Sequence, residues 1–484
     1  MSARQIRGLG ALIGVGGALA LALVPSGLHA QPEHGSRPAY AAAVALVMAA
    51  CWLFEVGSMA AVALLPLVAY PLLGVLPGGP GQALLHTAGA YVDGYIFLFL
   101  GGMTLGAAMQ EHGLHRRLAL HVMRAIGRSP PRLLLGMLVA TAAVSMWISN
   151  TATAVMMLPI AIALVEQLEQ AAARKLPGFA CAVMLAVAYG SNVGGIGTKI
   201  GTGTNSIFCG FLSRRLGIDL GFVTYLGIGL PFVLAFVPIV WGVLWRVARR
   251  DRLPAGDRTA LDEAIRALGP SSRGERRVAA IFLACAALWI AGDLLRPLLE
   301  APVLRLAGAR LLPKHYEATV ALAGAAALLA SGTLGLRGLR SIPYGTLVLL
   351  GGSFALASGI EGSGLSGLFA RSLAGLAGLP FVLQVALASA ATVALSAIAS
   401  NTATVNVMLS VLPPNAALLA TCSVAASCDF MLPAGTPPNA IVFGSGRVHL
   451  PTMIRAGFLL DLLAIGLCTL EGWLLLPHLL PGGH

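Results

Sequence analysis

Two short polar motifs occur twice in this sequence, in the same order, and their side chains suit the binding of small ions. Ser-Asn-Thr-Ala-Thr at 149–153 recurs at 400–404, and Gly-Thr-x-x-Asn at 201–205 recurs at 435–439. An interrupted helix leaves unpaired amide N–H groups on one side of the break and unpaired carbonyls on the other. Together with Ser, Thr and Asn side chains, the N–H groups suit a carboxylate or sulfate and the oxygens suit Na⁺. The motifs therefore predict a site for an anion and a cation.

A single Ser-Asn-Thr motif within a membrane more often hydrogen-bonds to neighbouring helices. Here the motif is duplicated, and a predicted helix break follows each copy. The glycine-rich segment 194–205 is costly as regular helix, at about 1 kcal/mol per interior glycine relative to alanine. Pro433, Pro437 and Pro438 interrupt the partner segment outright. Duplicated breaks favour a binding site over simple helix packing.

The composition places these motifs in a membrane. Of 484 residues, 57% are hydrophobic and 10% are charged, which leaves too few polar groups to cover a water-soluble globule. The solidly apolar stretches exclude a β-barrel, whose strands alternate apolar and polar positions. The net charge of +12 lies in short loops, so it indicates membrane orientation and not nucleic-acid binding. The seven cysteines have no CxxC spacing, so no disulfide framework or metal site is expected.

The apolar pattern predicts an all-α polytopic fold with about eleven transmembrane helices and two re-entrant hairpins. The predicted crossings lie at 8–25, 39–54, 56–76, 94–109, 178–212, 222–245, 278–296, 315–335, 345–360, 415–445 and 453–475. The hairpins are 133–165 and 381–413, each interrupted by Ser-Asn-Thr. Polar breaks at membrane depth are tolerated only inside protein or beside a watery cavity.

Basic residues predict the orientation of the chain. The arginine-rich loops 111–132 and 246–277 are expected in the cytoplasm, which gives a cytoplasmic N-terminus and an external C-terminus. The basic 296–314 loop would then be external, against the rule, and is interpreted as a helix on the membrane surface. Residues 8–25 are interpreted as a retained first helix, with a cleaved signal peptide as the alternative.

A third duplicated sequence extends the repeat. Phe-Leu-Phe-Leu-Gly-Gly at 97–102 corresponds to Leu-Val-Leu-Leu-Gly-Gly at 347–352, ahead of the two polar motifs. In the predicted topology the first hairpin starts from the cytoplasm and the second from outside. The halves would therefore form an inverted repeat, an organisation in which secondary transporters bind substrate near the membrane midplane.

These motifs, together with WLFE at 52–55, LLPL at 64–67 and MLPAGTPPNAIVFGSG at 431–446, resemble the divalent anion/sodium symporter family of dicarboxylate and citrate carriers. The resemblance covers nearly the whole chain. It implies a homodimer in the inner membrane, in which a scaffold holds the interface and a transport domain moves as an elevator. The implied parts are scaffold 1–132 and 278–380, transport domain 133–245 and 381–484, and a cytoplasmic connection at 246–277.

By motif position, the resemblance implies two sodium sites and one substrate site. The first sodium site would use Ser145, Ser149, Asn150 and the backbone of Gly201, and the second Ser396, Ala399, Asn401 and the backbone of Gly435. The substrate carboxylates would meet Asn150, Thr151, Thr202, Asn401, Thr402, Thr436 and Pro437.

Two charged residues depart from the family pattern. Lys199 stands two positions before Gly201, where its ammonium would take the place of a sodium ion or pair with Asp429. Snorkelling from a helix end to the membrane interface is the alternative for Lys199. Asp429 is an intramembrane carboxylate and therefore a candidate proton or coupling site.

The leading prediction is a sodium-coupled secondary transporter of C4-dicarboxylates such as succinate, malate or fumarate, with no cofactor beyond its coupling ions. A sodium-independent dicarboxylate exchanger and a sulfate or citrate carrier are the alternatives. Enzymatic activity is not expected. The Gly-x-Ser-Gly pattern at Ser366 is a weak match to an intramembrane serine protease, and ATP-driven transport would need a P-loop that the hydrophilic loops lack.

Overall fold

The structure, a computed structural model, describes residues 3–29, 31, 33–251, 259–308, 310–372, 375 and 378–480. These residues form helices joined by turns and contain no β-strand, so the predicted all-α fold is confirmed. Part of the predicted connection, residues 252–258, lies outside the described residues, as do residues 481–484 at the end of the second predicted transport segment.

The first seven helices precede the first polar motif. Their bounds are Ala3–Leu23 (α1), Arg37–Leu53 (α2), Met59–Val62 (α3), Leu65–Leu73 (α4), Pro80–Gly89 (α5), Gly94–Glu111 (α6) and Leu114–Ile126 (α7). A 3₁₀ turn at Ala90–Val92 joins α5 to α6. The Asp93 carboxylate caps α6 by accepting a hydrogen bond from the Tyr95 amide at 3.0 Å.

The next five helices contain the first polar motif and the first break. Their bounds are Pro130–Ser145 (α8), Asn150–Ala172 (α9), Pro177–Ile196 (α10), Gly203–Leu216 (α11) and Phe222–Ala248 (α12). Ser149 begins α9, where its Oγ accepts a hydrogen bond from the Ala152 amide at 3.4 Å. The predicted first hairpin is therefore two helices joined at Ser149. The predicted crossing at 178–212 is likewise two helices, with residues 197–202 between them.

The middle of the described chain contains seven helices of unequal length. The bounds are Thr259–Ala267 (α13), Arg273–Ile290 (α14), Gly292–Ala307 (α15), Pro313–Ala330 (α16), Leu336–Arg340 (α17), Tyr344–Gly362 (α18) and Leu365–Ser372 (α19). Most of the predicted 296–314 loop is helix α15, which bends by 76° from α14. The Lys314 ammonium lies 3.4 Å from the Asp219 carboxylate and 3.8 Å from that of Asp93. Neighbouring carboxylates thus balance part of the positive charge of the 296–314 segment, which was predicted to be external although basic loops usually lie in the cytoplasm.

The last helices contain the second polar motif and the second break. Their bounds are Phe381–Ser396 (α20), Asn401–Val411 (α21), Ala416–Ala425 (α22), Pro437–Gly444 (α23), Leu450–Leu474 (α24) and Leu476–Leu479 (α25). Ser400 caps α21 as Ser149 caps α9, with its Oγ 3.2 Å from the Ala403 amide. In both halves of the chain, the serine of the Ser-Asn-Thr motif thus caps the helix that follows it.

By length and apolar composition, six helices in the described part of the chain can cross a membrane, or seven if the bent α14 and α15 form one span. The six are Pro80–Glu111, Asn150–Ala172, Pro177–Ile196, Phe222–Ala248, Tyr344–Gly362 and Leu450–Leu474. A multi-pass membrane fold is thereby confirmed. Fewer than eleven qualify because several predicted crossings are shorter helices of 10–17 residues. The number of crossings stays a prediction.

The two broken helices form the centre of the molecule. Every residue of α22 is buried, and so is every residue of α10 from Phe179 onwards. The halves pack crosswise, α10 against α23 and α11 against α22. The crosswise packing brings the two sequence-distant breaks together.

Candidate functional site

A cavity lies where the two polar motifs and the two helix breaks meet. Its volume is about 740 Å³, within the range of roughly 300–1,000 Å³ typical of small-molecule sites. The four helices that follow the two motifs and the two breaks begin at this cavity, with N-cap residues Ser149, Thr202, Ser400 and Thr436. A helix N-terminus presents free N–H groups and partial positive charge. The arrangement therefore suits an anion without an arginine in the membrane.

The two breaks have nearly the same backbone. Thr202 has φ −143° and ψ 153°, and Thr436 has φ −133° and ψ 152°. In each break, the asparagine three residues after this threonine donates hydrogen bonds to the segment that precedes the threonine. Asn205 Nδ2 donates to the carbonyls of Gly195 and Thr198 at 2.8 and 2.7 Å.

The second asparagine repeats this bracing. Asn439 Nδ2 donates to the carbonyls of Asp429 and Leu432 at 3.2 and 3.0 Å. Both amides are buried. These amides stabilise the non-helical backbone of each break. The carbonyls that they bind are paired with a side chain and not with the N–H groups of a next helical turn.

The polar motifs are also braced alike. We call residues 149–151 the first tip and residues 400–402 the second tip. Ser145 Oγ lies 3.0 Å from Asn150 Oδ1 and 2.7 Å from the Ser191 carbonyl oxygen. In the second half, Ser396 Oγ lies 3.1 Å from Asn401 Oδ1 and 2.6 Å from the Ala426 carbonyl oxygen. Each serine ties its tip to the buried half of a broken helix.

The structure brings most of the predicted substrate and sodium residues to one cavity. Its lining includes Ser149, Asn150, Thr151, Gly201, Thr202, Ala399, Asn401, Thr402, Gly435, Thr436 and Pro437. Ser145 and Ser396 lie behind the tips, against Asn150 and Asn401. Lys199 and Asp429 are not among the lining residues.

Other lining residues were not predicted from the sequence. Asn192 Nδ2 donates to Thr436 Oγ1 at 3.1 Å, which links α10 to the second break at the cavity. A buried amide within the apolar helix α10 was a signal for this role. Arg7 and Glu55 also line the cavity. Their positions depend on how α1 and α2 pack and carry no local signal.

Lys199 is paired with Glu317. Its ammonium lies 2.7 and 3.0 Å from the two Glu317 carboxylate oxygens and also donates to the Leu220 carbonyl. Both side chains are buried, so Lys199 does not snorkel to an interface. The pair with Asp429, one of the alternatives considered for Lys199, is not formed. The positive charge that was considered as a replacement for sodium is instead balanced by a carboxylate of α16.

Asp429 is buried beside the second break. It is 1% exposed, and neither carboxylate oxygen has a hydrogen-bond partner within the described residues. A Cβ built on Gly435 would lie 2.5 Å from Asp429 Oδ2. The Asn401 side chain lies within interacting range of the same carboxylate.

Gly195→Ala is expected to lower uptake of the transported anion by on the order of 10²-fold, because misplacement of a binding group by about 1 Å has effects of this size. A Cβ at Gly195 would overlap Asn150 Oδ1 and displace the first tip. Gly466→Ala in α24 is the matched control, since its Cβ would meet no atom within 4 Å. Initial uptake rates in proteoliposomes measure the effect, and equal rates for both variants would contradict it.

The fold and the cavity define the class of protein, a polytopic helical membrane transporter. The YdaH transporter of Alcanivorax borkumensis has a similar fold, with a TM-score of 0.57 and 16% identity over 91% of this chain and 100% of that chain. MtrF of Neisseria gonorrhoeae, described as illuminating a class of antimetabolite efflux pumps, has a TM-score of 0.54 and 13% identity over 81% and 84%. At these identities the likeness concerns the fold alone.

Within this class, the chain belongs to the divalent anion/sodium symporter family. Residues 49–417 match the family described as citrate transporter (CitMHS). The sodium-dependent dicarboxylate transporter SdcS of Staphylococcus aureus (strain USA300) is 32% identical over 472 residues, which cover 91% of this chain and 86% of that protein. The relatives are transporters and not enzymes. Ser366, the residue considered as a protease nucleophile, donates a hydrogen bond to Glu361 Oε2 at 3.0 Å.

Proposed function

We propose that this chain is a sodium-coupled secondary transporter of C4-dicarboxylates such as succinate, malate and fumarate. One observation carries the proposal: the four helices that follow the duplicated motifs and breaks have their N-termini at one cavity, which also presents side-chain oxygens. The N–H groups suit the substrate carboxylates, and the oxygens suit sodium. The 32% identity to a sodium-dependent dicarboxylate transporter supports the same substrate class.

The duplicated lining favours an anion with a negative charge at each end. Each half supplies two threonines and one asparagine, namely Asn150, Thr151 and Thr202 from the first half and Asn401, Thr402 and Thr436 from the second. A dicarboxylate can place one carboxylate against each group. A monocarboxylate would leave one group of N–H donors desolvated and unpaired, at a cost of about 1–3 kcal/mol per donor.

The proposed sodium sites consist of oxygen donors. In the first, Ser145, Ser149 and Asn150 supply side-chain oxygens, and the backbone of Gly201 supplies a carbonyl. In the second, Ser396 and Asn401 supply side chains, and Ala399 and Gly435 supply carbonyls. Unwound backbone carbonyls beside helix ends are characteristic of sodium sites in secondary transporters. The short serine-to-asparagine distances behind each tip support these two groupings.

We further propose an inverted repeat and elevator-type alternating access, with residues 133–245 and 381–484 moving against 1–132 and 278–380. The cavity is lined by both proposed parts, since Met59, Phe99 and Thr346 line it together with the two tips. A binding site at the boundary between two bodies is suited to opening on alternate sides of the membrane.

The proposed orientation places the N-terminus in the cytoplasm and the C-terminus outside, in the inner membrane. Contacts between the two arginine-rich loops support it, because Arg117 pairs with Glu275 and Arg128 lies 2.7 Å from Asp262. Loops in contact lie on the same side of a membrane. The homodimer is proposed on the family resemblance, and chemical crosslinking in native membranes tests it.

Reconstituted protein should take up labelled succinate when an inward sodium gradient is imposed, and lose uptake when choline replaces sodium. Unlabelled malate and fumarate should compete with succinate, and citrate or sulfate should compete weakly. Sodium-independent uptake that requires internal dicarboxylate would contradict symport and identify an exchanger. Stronger competition by citrate would reassign the substrate, which the citrate transporter family match makes a specific alternative.

A further inference from the structure

The two breaks share glycine, threonine and asparagine at the same spacing, but they differ in charge. Gly201 corresponds to Gly435, Thr202 to Thr436 and Asn205 to Asn439. Six positions before Gly201 stands Gly195, and six positions before Gly435 stands Asp429. The repeat therefore puts a carboxylate in the second half where the first half has no side chain.

Contacts support this correspondence independently of the sequence. The Gly195 carbonyl accepts from Asn205 Nδ2 at 2.8 Å, and the Asp429 carbonyl accepts from Asn439 Nδ2 at 3.2 Å. A Cβ on Gly201 would overlap the Gly195 carbonyl, and a Cβ on Gly435 would lie 2.5 Å from Asp429 Oδ2. The two residues thus occupy the same place in their breaks.

Each of these residues also faces the asparagine of its tip. A Cβ on Gly195 would overlap Asn150 Oδ1, so the first half has no room for any side chain there. In the second half, the Asp429 carboxylate lies within interacting range of Asn401. It is placed beside Asn401 of the second tip and Gly435 of the second break, two residues of the proposed second sodium site.

This carboxylate has no compensating charge from the chain. It is 1% exposed and forms no ion pair within the described residues, its neighbour Asn401 is neutral, and Lys199 is taken by Glu317. An isolated buried charge is strongly unfavourable unless a counter-charge or hydrogen bonds compensate it. The position beside two oxygen-bearing groups provides the place for a cation.

We propose that Asp429 is an anionic ligand of the cation bound at the second tip, so that the two cation sites of this chain differ by one charge. This inference rests on the sodium coupling proposed above and deepens it. The first site consists of neutral oxygens and is completed electrostatically by the bound dicarboxylate. The second has a charge of its own, so it binds sodium before substrate. More charged ligands give a hard cation a higher affinity.

The test is sodium-dependent thermal stabilisation of the purified full chain without substrate, with choline chloride holding the ionic strength constant. Asp429→Asn keeps the shape of the side chain and removes its charge. The sodium concentration for half-maximal stabilisation should rise by about tenfold or more in this variant. Asp429→Gly, which introduces the residue of the first half, should shift it in the same direction and serves if the asparagine variant is not recovered.

Asp461→Asn is the matched control. Asp461 is a second buried carboxylate at this break, but its Oδ1 accepts a hydrogen bond from the Phe430 amide at 2.9 Å. Its amide form keeps that acceptor, and Asp461 acts on the site only through its charge near Asp429, so the sodium response should shift less than in the Asp429 variants. An unaltered sodium response in both Asp429 variants would overturn the inference while sodium-dependent uptake by the natural chain stands. If the natural chain showed neither sodium-specific stabilisation nor sodium-dependent uptake, the proposed sodium coupling itself would be overturned.

Discussion

Replacement of either tip asparagine by alanine is expected to reduce dicarboxylate uptake by on the order of 10²-fold or more. Asn150 and Asn401 lie within their tips as the first residues of α9 and α21, and both line the cavity. Each amide can donate to a substrate carboxylate while its oxygen faces the proposed cation site. Alanine removes both functions and takes from Ser145 or Ser396 its partner at the tip. Initial rates of labelled succinate uptake, at equal amounts of reconstituted protein, measure the effect.

Asn415→Ala is the control for an asparagine that acts only in capping. The Asn415 side chain accepts a hydrogen bond from the Leu418 amide at 3.0 Å at the start of α22, and it does not line the cavity. Its loss should cost about 1 kcal/mol of stability and leave uptake in place. Normal transport by both Asn150→Ala and Asn401→Ala would show that the tips do not form the substrate site.

The second large effect concerns stability. Lys199→Met should destabilise the folded chain by about 3–5 kcal/mol, because it leaves the Glu317 carboxylate buried without its counter-charge. The two side chains are 1% and 3% exposed, so water cannot take over the role of the lysine. A fall in unfolding temperature and in the yield of monodisperse protein in detergent would register the loss.

A double variant separates the pair from general damage. With Lys199→Met and Glu317→Met combined, no buried charge is left uncompensated, and most of the stability should return. Lys175→Met is the exposed control: the Lys175 side chain is 81% exposed, and its bond to Glu169 should matter by no more than about 1 kcal/mol. A double variant as unstable as Lys199→Met would contradict this account of the pair.

The two halves have similar backbones at their tips and breaks but differ in charge there, and these two features have different origins. Ser149 and Ser400 cap their helices through contacts three residues away, and glycine or proline keeps each break from closing into helix. Such effects act over short stretches of chain, so the same residues give the same local backbone conformation in both halves. The proposed role of Asp429 is supported only when its position in the folded second break is compared with that of Gly195 in the first.

Local physical chemistry made much of this protein predictable from its sequence. Apolar stretches implied a polytopic helical membrane fold, and the repeated Ser-Asn-Thr and Gly-Thr-x-x-Asn motifs marked where helices are interrupted. Each of these features depends on the preferences of neighbouring residues, which a linear pattern records. The prediction of two polar tips and two breaks needed nothing more.

Tertiary structure alone decided which distant groups meet. Lys199 and Glu317 are 118 positions apart, and no local pattern could show that the lysine is balanced by α16 and not by Asp429. The crosswise packing of the broken helices likewise joins the tips into one cavity and brings Arg7 and Glu55 to its lining. Helix packing is set by side-chain contacts between remote segments, so the partner of a buried charge is known only once those helices are placed.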